Sequence, residues 1–432
     1  MKSRFFIMNL LGVFILSISS WQCEDNPIEA DLSHLSLSVI TLSIDSISVS
    51  SYWVAPNLGS NERLYLGTKN GLDVPVAFVG ISDHFYWDYY FDSTVTFDSL
   101  HFILYSNDSL LTQSSTPNLY FKSDSQFNES KSTYLDFEGF TTADWEDLGL
   151  PIVNVNTDTN ALFTHTELVW DIMSIDSMLM DTVDSNLIRN FAIQLTNRDT
   201  NFIELLSREA TSGEKDPKVK MYFRQNIEVS EDSTFHDTVN VTIYSFGDIS
   251  IIDPGSINTE STNLGLSNGI GLRSLVSISF DSVSLLEGSL IRKAQLTLPI
   301  DTSASSEGYN IIVDPIDESV DTGQYEVFEG FDPEKTLPES DLVILNNTKA
   351  DVVFETDPYT GIGYPYRVSS DTEDGLFIIS LKSFLQNITL GNETNLGFKV
   401  VANEKNDPFE SIHFDLENES VKPILEIIYV AN

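Results

Sequence analysis

The stretch "LSLSVITLSIDSISVSSYW", residues 35–53, places apolar side chains at Leu35, Leu37 and Val39, then Leu42 and Ile44, then Ile47 and Val49. Apolar and polar residues alternating with a period of two mark a strand with one buried and one wet face. The pattern returns in short runs such as "VAFVGI", "LHFILYS", "FAIQLTN", "VKMYFR", "VTIYSF", "SLVSISF", "AQLTLPI", "LGFKVVA" and "ILEIIYV". Gly, Asn, Asp, Ser and Pro stand between the runs, where turn chemistry belongs. Helical periodicity is scarce, and its better candidates are the short segments 173–183 and 380–388. Many short strands separated by turn residues predict an all-β fold of antiparallel β-sandwiches, each with a short helix.

The order of elements occurs twice. Residues 171–223 and 377–429 both read as short helix, polar turn, strand, polar turn, strand, a proline and a closing strand. Ser174, Ile175, Ser177 and Leu179 fall opposite Ser380, Leu381, Ser383 and Leu385, and Pro217 and Pro423 each precede the last strand. Upstream, residues 57–81 are similar to residues 257–281. Two tandem modules are therefore expected, 36–226 and 239–432, with a polar linker at 227–238 and an insert at 315–368.

The first residues carry Lys2 and Arg4, then an apolar run from Phe5 to Ile18, then Cys23. The run is too short to span a bilayer and fits a signal peptide over residues 1–22. A cysteine directly after such a segment is similar to a bacterial lipoprotein signal, in which Cys23 becomes the acylated N-terminus. It is the only cysteine in the chain, so a disulfide within the chain is excluded. An acidic tether, 23–35, follows, and its opening "EDNPIEAD" resembles a surface-export signal. The expectation is a lipid-anchored protein on the outer membrane of a Gram-negative bacterium, exposed at the cell surface and touching the membrane through its anchor alone.

With 65 acidic against 23 basic residues, the net charge is −42. A surface of that sign repels nucleic acid and anionic headgroups, so no nucleic-acid partner is expected. The acids can equally hold Ca²⁺: "VDPIDESVD" (313–321) and "SSDTEDG" (369–375) cluster oxygens, though neither follows the EF-hand spacing. A structural Ca²⁺ and a purely solvated acidic surface both remain open at this point.

Catalytic constellations are missing from the sequence. The six histidines include no His-x-x-x-His pair, and neither a Gly-x-Ser-x-Gly elbow nor a phosphate-binding Gly-rich loop occurs. Paired carboxylates for glycoside hydrolysis are too numerous for any pair to stand out. A non-enzymatic protein is expected, with a polysaccharide-degrading enzyme as the weaker alternative.

Several motifs, in order, resemble the disaggregatase-related repeat family, DNRLRE, counted among carbohydrate-binding modules. They are the loop Asn57, Gly59, Leu64 and Gly67; the segment with Arg273, Phe280, Asp281, Ala294 and Leu296; Trp145-Glu146; and Trp170, Asp171 and Ser174. Asp73-Val74-Pro75 stands where the first module should carry an arginine, and Phe377 replaces the Trp-Asp pair in the second. The resemblance implies jelly-roll sandwiches that bind polysaccharide without catalysis.

The densest aromatic stretch is "SDHFYWDYYFDS" (82–93), which lies between two expected strands of the first module and has no aromatic counterpart in the second. Exposed Trp and Tyr rings offer an apolar face with a polar rim, which suits a sugar. Tyr86, Trp87, Tyr89 and Tyr90 are the candidate ligand contacts, with Asp88 as hydroxyl acceptor. The same residues would alternatively cap the sandwich end or pack against the second module. A neutral glycan suits the charge, since a polyanion would need a local basic site; Arg63, Lys69, Arg189 and Arg198 are the basic residues near the first-module turns. The competing reading is a structural or adhesive surface protein that contacts protein partners.

Overall fold

The computed structural model describes residues 38–431, apart from 54, 88–93, 108–110, 112–115, 124–126, 157–164, 174–187, 211–213, 231–232, 256–264, 279–287, 304, 307–308, 316–365, 370–374, 393–397, 404–405 and 417–421. Its first sequence repeat holds β1 (Ser38–Ile44), β2 (Ile47–Trp53), β3 (Arg63–Lys69), β4 (Leu72–Ile81), β5 (Val95–Ser106) and β6 (Asn118–Ser123). There follow β7 (Glu146–Gly149), β8 (Ile152–Asn156), β9 (His165–Asp171), β10 (Arg189–Gln194), β11 (Phe202–Leu206) and β12 (Lys218–Ser230). The second repeat holds β13 (Ser233–Tyr244), β14 (Gly247–Asp253), β15 (Gly265–Leu266), β16 (Leu272–Ile278), β17 (Leu290–Pro299) and β18 (Asn310–Pro315). It continues with β19 (Tyr366–Ser369), β20 (Leu376–Ser380), α1 (Lys382–Thr389), β21 (Phe398–Ala402), β22 (Ile412–His413) and β23 (Ile424–Ala431). The fold is all-β, as the alternation predicts. The helix expected at 380–388 is α1, whereas the one expected at 173–183 lies almost wholly outside the described residues.

Two sandwiches form, each around its own core. In sandwich 1, the sheet β11-β3-β4-β10-β6-β7 faces the sheet β13-β12-β5-β9-β8. Leu66, Val79, Phe121 and Phe191 from one sheet meet Phe102, Leu104, Trp170 and Met221 from the other. In sandwich 2, the sheet β1-β23-β17-β20 faces β19-β18-β21-β16-β2, and Leu296, Phe377, Ile379 and Ile427 meet Val276, Ile311, Phe398 and Val400. Buried apolar area of this extent is the dominant stabilising contribution in both.

The expected module boundaries need correction, because strand pairing crosses them. The leading strands β1 and β2 do not join the repeat that follows them. Instead β1 pairs with β23 and β2 with β16, both in sandwich 2. Conversely, β13 pairs with β12 and β14 with β4, in sandwich 1. The segment read as a linker, 227–238, runs instead through the β12–β13 hairpin apart from 231–232. The sheet order β1-β23-β17-β20 thus repeats β13-β12-β5-β9 with the leading strands exchanged. Their sequences match in kind: Thr41–Val49 reads TLSIDSISV and Thr242–Ile251 reads TIYSFGDISI. Each repeat donates its first two strands to the other repeat's sandwich.

A compact joint holds the sandwiches together. Leu58, Tyr65, Leu72, Val74 and Ile252 pack with Phe409 and Ile270. Phe409 stands edge-on to Tyr65 and Phe202, with ring centroids 5.2 and 4.9 Å apart. Lys69 Nζ sits 5.0 Å from the Phe202 centroid and 5.2 Å from that of Phe409, and it donates to Asp407 Oδ2 at 2.7 Å.

Candidate functional site

The strand β12 opens "KVKMYFR", with a period of two that has opposite characters on its two faces. Val219, Met221 and Phe223 enter the core of sandwich 1. Lys218, Lys220, Tyr222 and Arg224 therefore stand on the outer face, since successive side chains point to opposite sides of a sheet. Register brings neighbours beside them. Lys220 lies between His101 of β5 and Thr242 of β13, with Asp171 of β9 beyond His101. Tyr222 lies between Ser99 and Asn240. The face is thus assembled from both repeats, because β13 belongs to the second.

One end of this face is closed. Ile103, Tyr105 and Val169 pack with Leu206 and Ala210. The Tyr105 hydroxyl donates to Glu167 Oε1 at 3.0 Å, and Asn154 Nδ2 donates to Glu167 Oε2 at 3.3 Å. Burial pushes the Tyr105 phenol well up from its usual range, and the adjacent Glu167 carboxylate adds to this. Lys218 Nζ stands 4.7 Å from the Tyr105 ring centroid and 5.6 Å from that of Tyr244, and donates to the Glu214 carbonyl. Burial lowers its pKa, and the Lys220 charge lowers it further.

The other end is open. Tyr222 is half-buried, with its ring centroid 5.7 Å from His101 and Lys220 Nζ at 5.3 Å. Arg224 Nε bridges both oxygens of Asp98 at 2.9 and 3.0 Å, and its Nη2 adds a contact at 2.7 Å. Tyr244, opposite Lys218 and so at the closed end, is 46% exposed and rims the face. An aromatic ring set among hydroxyl, amide, carboxylate and ammonium groups can stack on a sugar ring and exchange hydrogen bonds with its hydroxyls. Strands hold such a set more tightly than loops do. Sequence reasoning passed over it, yet the signal was there: three basic residues and a tyrosine at period two in a chain with only 23 basic residues.

The aromatic stretch resolves differently from the ligand-contact expectation. Residues 85–87 form a single tight turn in which Trp87 N donates to His84 O at 2.9 Å. Trp87 is 1% exposed and belongs to the core of sandwich 1, which corrects its assignment as a ligand contact. The Arg189 guanidinium, itself fully buried, lies 3.9 Å from the Trp87 ring centroid and pairs with Asp83 Oδ1 at 3.0 Å. A buried ring with a guanidinium on its face has no surface left for a sugar. Tyr86 is half-buried, packs against the same core and lies 4.6 Å from the His84 ring. Among the described residues of the stretch, Phe85, 58% exposed, is the most exposed ring. Asp88, Tyr89 and Tyr90 lie outside the described residues, as does Cys23.

Of the four basic residues near the first-module turns, Lys69 is spent on the joint and Arg189 on the core. Arg198 faces Asp73 at 3.5 Å, and Arg63 Nη1 donates to the Glu62 carbonyl at 3.1 Å. The structure does not gather them into one site.

The residues of the expected Ca²⁺ loops fall largely outside the described ones. A different acidic set converges instead: oxygens of Glu129, Glu209 and Asp248 lie within 4.8 Å of one another. Asp248 is almost fully buried, and burial raises its carboxyl well above the usual range. Its Oδ2 accepts from Arg208 N at 2.8 Å, and its N donates to Glu129 Oε1 at 3.0 Å. Arg208 Nη1 stands 3.8 Å from Glu129 Oε2 and donates to the Phe246 carbonyl. With that cation already among them, the carboxylates buttress the start of β14. Among the described residues, a serine–histidine contact also occurs, Ser411 Oγ with His413 Nε2 at 3.2 Å. His413 Nδ1 is buried with no hydrogen-bond partner among the described residues, so nothing orients the ring as a general base would require.

The loop motif of the suggested family has structural roles. Asn57 Nδ2 donates to the carbonyls of Glu129 and Ser132, and a Cβ on Gly59 would lie 2.0 Å from Glu129 O. Gly67 has φ +96°, and a Cβ there would lie 1.9 Å from Asn201 O.

No protein-family model matches the chain, and no curated protein matches it. Among solved structures, a chain described as BspA_C_WT is 8% identical over 86% of this chain and 90% of that one, with a TM-score of 0.12, and carries no argument. The resemblance to DNRLRE modules rests on the quoted motifs alone. Among the described residues, no helix is long and apolar enough to cross a membrane.

Proposed function

We propose that the chain is a non-catalytic, polysaccharide-binding surface lipoprotein, anchored through Cys23, and that the outer face of β13-β12-β5-β9 carries the ligand. The observation behind this reading is Tyr222 on an open sheet face, with Ser99 and Asn240 opposite it, Lys220 next along its strand, and the Lys220 neighbours His101 and Thr242 alongside, Asp171 lying beyond His101. The family resemblance points the same way. The net charge favours a neutral glycan, because a polyanion would meet long-range repulsion. A glycan array probed with residues 24–432, with and without Ca²⁺, tests the reading beside Tyr222→Ala. Binding that the variant loses is the expected result. Equal binding by the variant would remove this face from consideration.

A second reading, contact with a protein partner, is favoured by β8. This edge strand leaves Ile152 and Val155 exposed, with Leu150 just before it. Exposed apolar edges invite pairing with another chain. Capture of a partner that free saccharide leaves unaffected would favour it.

A further inference from the structure

The donated strands sort the molecule into two halves that differ from its sequence repeats. One half is 38–253, which comprises sandwich 1 together with β1 and β2. The other is 265–431, the remainder of sandwich 2. Residues 254–264 are the single covalent connection between them. The halves are otherwise held by the joint and by two ladders, β1 on β23 and β2 on β16.

Both donated strands are edge strands, one on each sheet of sandwich 2. The hold of β1 is shallow: it buries Ile44 fully and Ile40 and Leu42 only in part. Backbone ladders are not specific to a copy, so the receiving edges of another molecule are identical to its own. Exchange inside the chain has already taken place between its two repeats.

We propose that this surface accepts a second copy of the chain: the 38–253 half of each molecule completes the 265–431 half of the other. A reciprocal pair keeps every ladder and the whole joint, whereas an open arrangement leaves unpaired edges at its ends. The proposal is independent of the glycan reading.

Single cysteines report the pairing directly. Thr41 and Ile428 are opposite each other on the outer face of the β1–β23 ladder, so replacing them disturbs no core. In a Cys23→Ser background, differently tagged copies bearing Thr41→Cys or Ile428→Cys are mixed at high concentration, incubated in sub-denaturing urea, diluted and oxidised. The mixed disulfide is read on a non-reducing gel. Thr41→Cys mixed with Thr141→Cys copies, an exposed position away from this ladder, gives the background. A double variant, Thr41→Cys with Ile428→Cys in one chain, checks the ladder itself. The expected result is a mixed disulfide at least tenfold above background, and closure within the chain in the double variant before incubation. A mixed disulfide no stronger than background, with the double variant closing normally, would overturn the exchange between copies. A double variant that fails to close would overturn the ladder on which the exchange rests.

Discussion

Sandwich 1 and sandwich 2 share a sheet order yet present different outer faces. On sandwich 1, the β13-β12-β5-β9 sheet displays Tyr222, Tyr244, His101, Lys220 and Arg224. On sandwich 2, the matching β1-β23-β17-β20 sheet places Thr41, Ser43, Gln295, Thr297, Glu426 and Ile428 in register, with no ring among them. The interior of each sheet is under the same packing demand, so the apolar rows resemble each other. The outer rows answer to no such demand, and their chemistry differs, which is the contrast the proposed glycan-binding role of sandwich 1 rests on.

The largest effect expected on this comparison comes from the interior of sandwich 1. Trp87→Ala should cost about 3–5 kcal/mol of stability in denaturant unfolding, the usual range for a buried aromatic. It would also leave the Arg189 guanidinium without its ring. A stable variant with lost glycan binding would reinstate Trp87 as a ligand contact.

Tyr222→Ala should weaken glycan binding about tenfold, or ~1.4 kcal/mol, while stability changes little. Ile428→Ala on sandwich 2 should leave binding unchanged. Equal losses from both, in titration calorimetry, would erase the distinction between the faces.

Asp248→Asn tests the buried carboxyl against pH. The folded-state pKa of Asp248 is raised by burial, then by the neighbouring Glu209 and Glu129 carboxylates, with Arg208 opposing. Below about pH 4 the carboxyl is protonated in folded and unfolded chains alike. As pH rises, the unfolded chain releases its proton first and stability falls until the folded pKa is passed. The variant should therefore gain melting temperature over the parent, and the gap should widen from pH 4 to pH 8. A gap that narrows would reverse the sign.

The smallest effect concerns Lys293, which reaches Glu426 Oε2 at 2.6 Å with both side chains over 40% exposed. Lys293→Met should shift stability by no more than about 1 kcal/mol, since exposed pairs contribute little. A loss of several kcal/mol would mean that the plain face of sandwich 2 is structurally more demanding than its exposure suggests.

Much of the fold is legible in the chain. The alternation at 35–53 announces strands, and the pattern of "SLKSFLQNI" finds α1. The repeat near Pro217 and Pro423 anticipates two sandwiches with matching sheets. The candidate site was legible only in part. "VKMYFR" reads as a strand, yet which of its rows faces water depends on the sheet laid against it. The aromatic stretch misled because composition cannot separate a stacking platform from a core plug, and Arg189, which settles the matter for Trp87, is more than a hundred residues away.

The sequence by itself determined the strand content, the turns and the twofold repeat, because side-chain alternation and glycine conformations such as that of Gly67 are local properties of a few neighbouring residues. Only the tertiary structure decided which sandwich receives each leading strand pair. Ladder hydrogen bonds join backbone groups common to every residue, and TLSIDSISV and TIYSFGDISI offer nearly the same alternation. The choice between two similar edges is made by the connections, the joint around Phe409 and Lys69, and the closure of both cores at once.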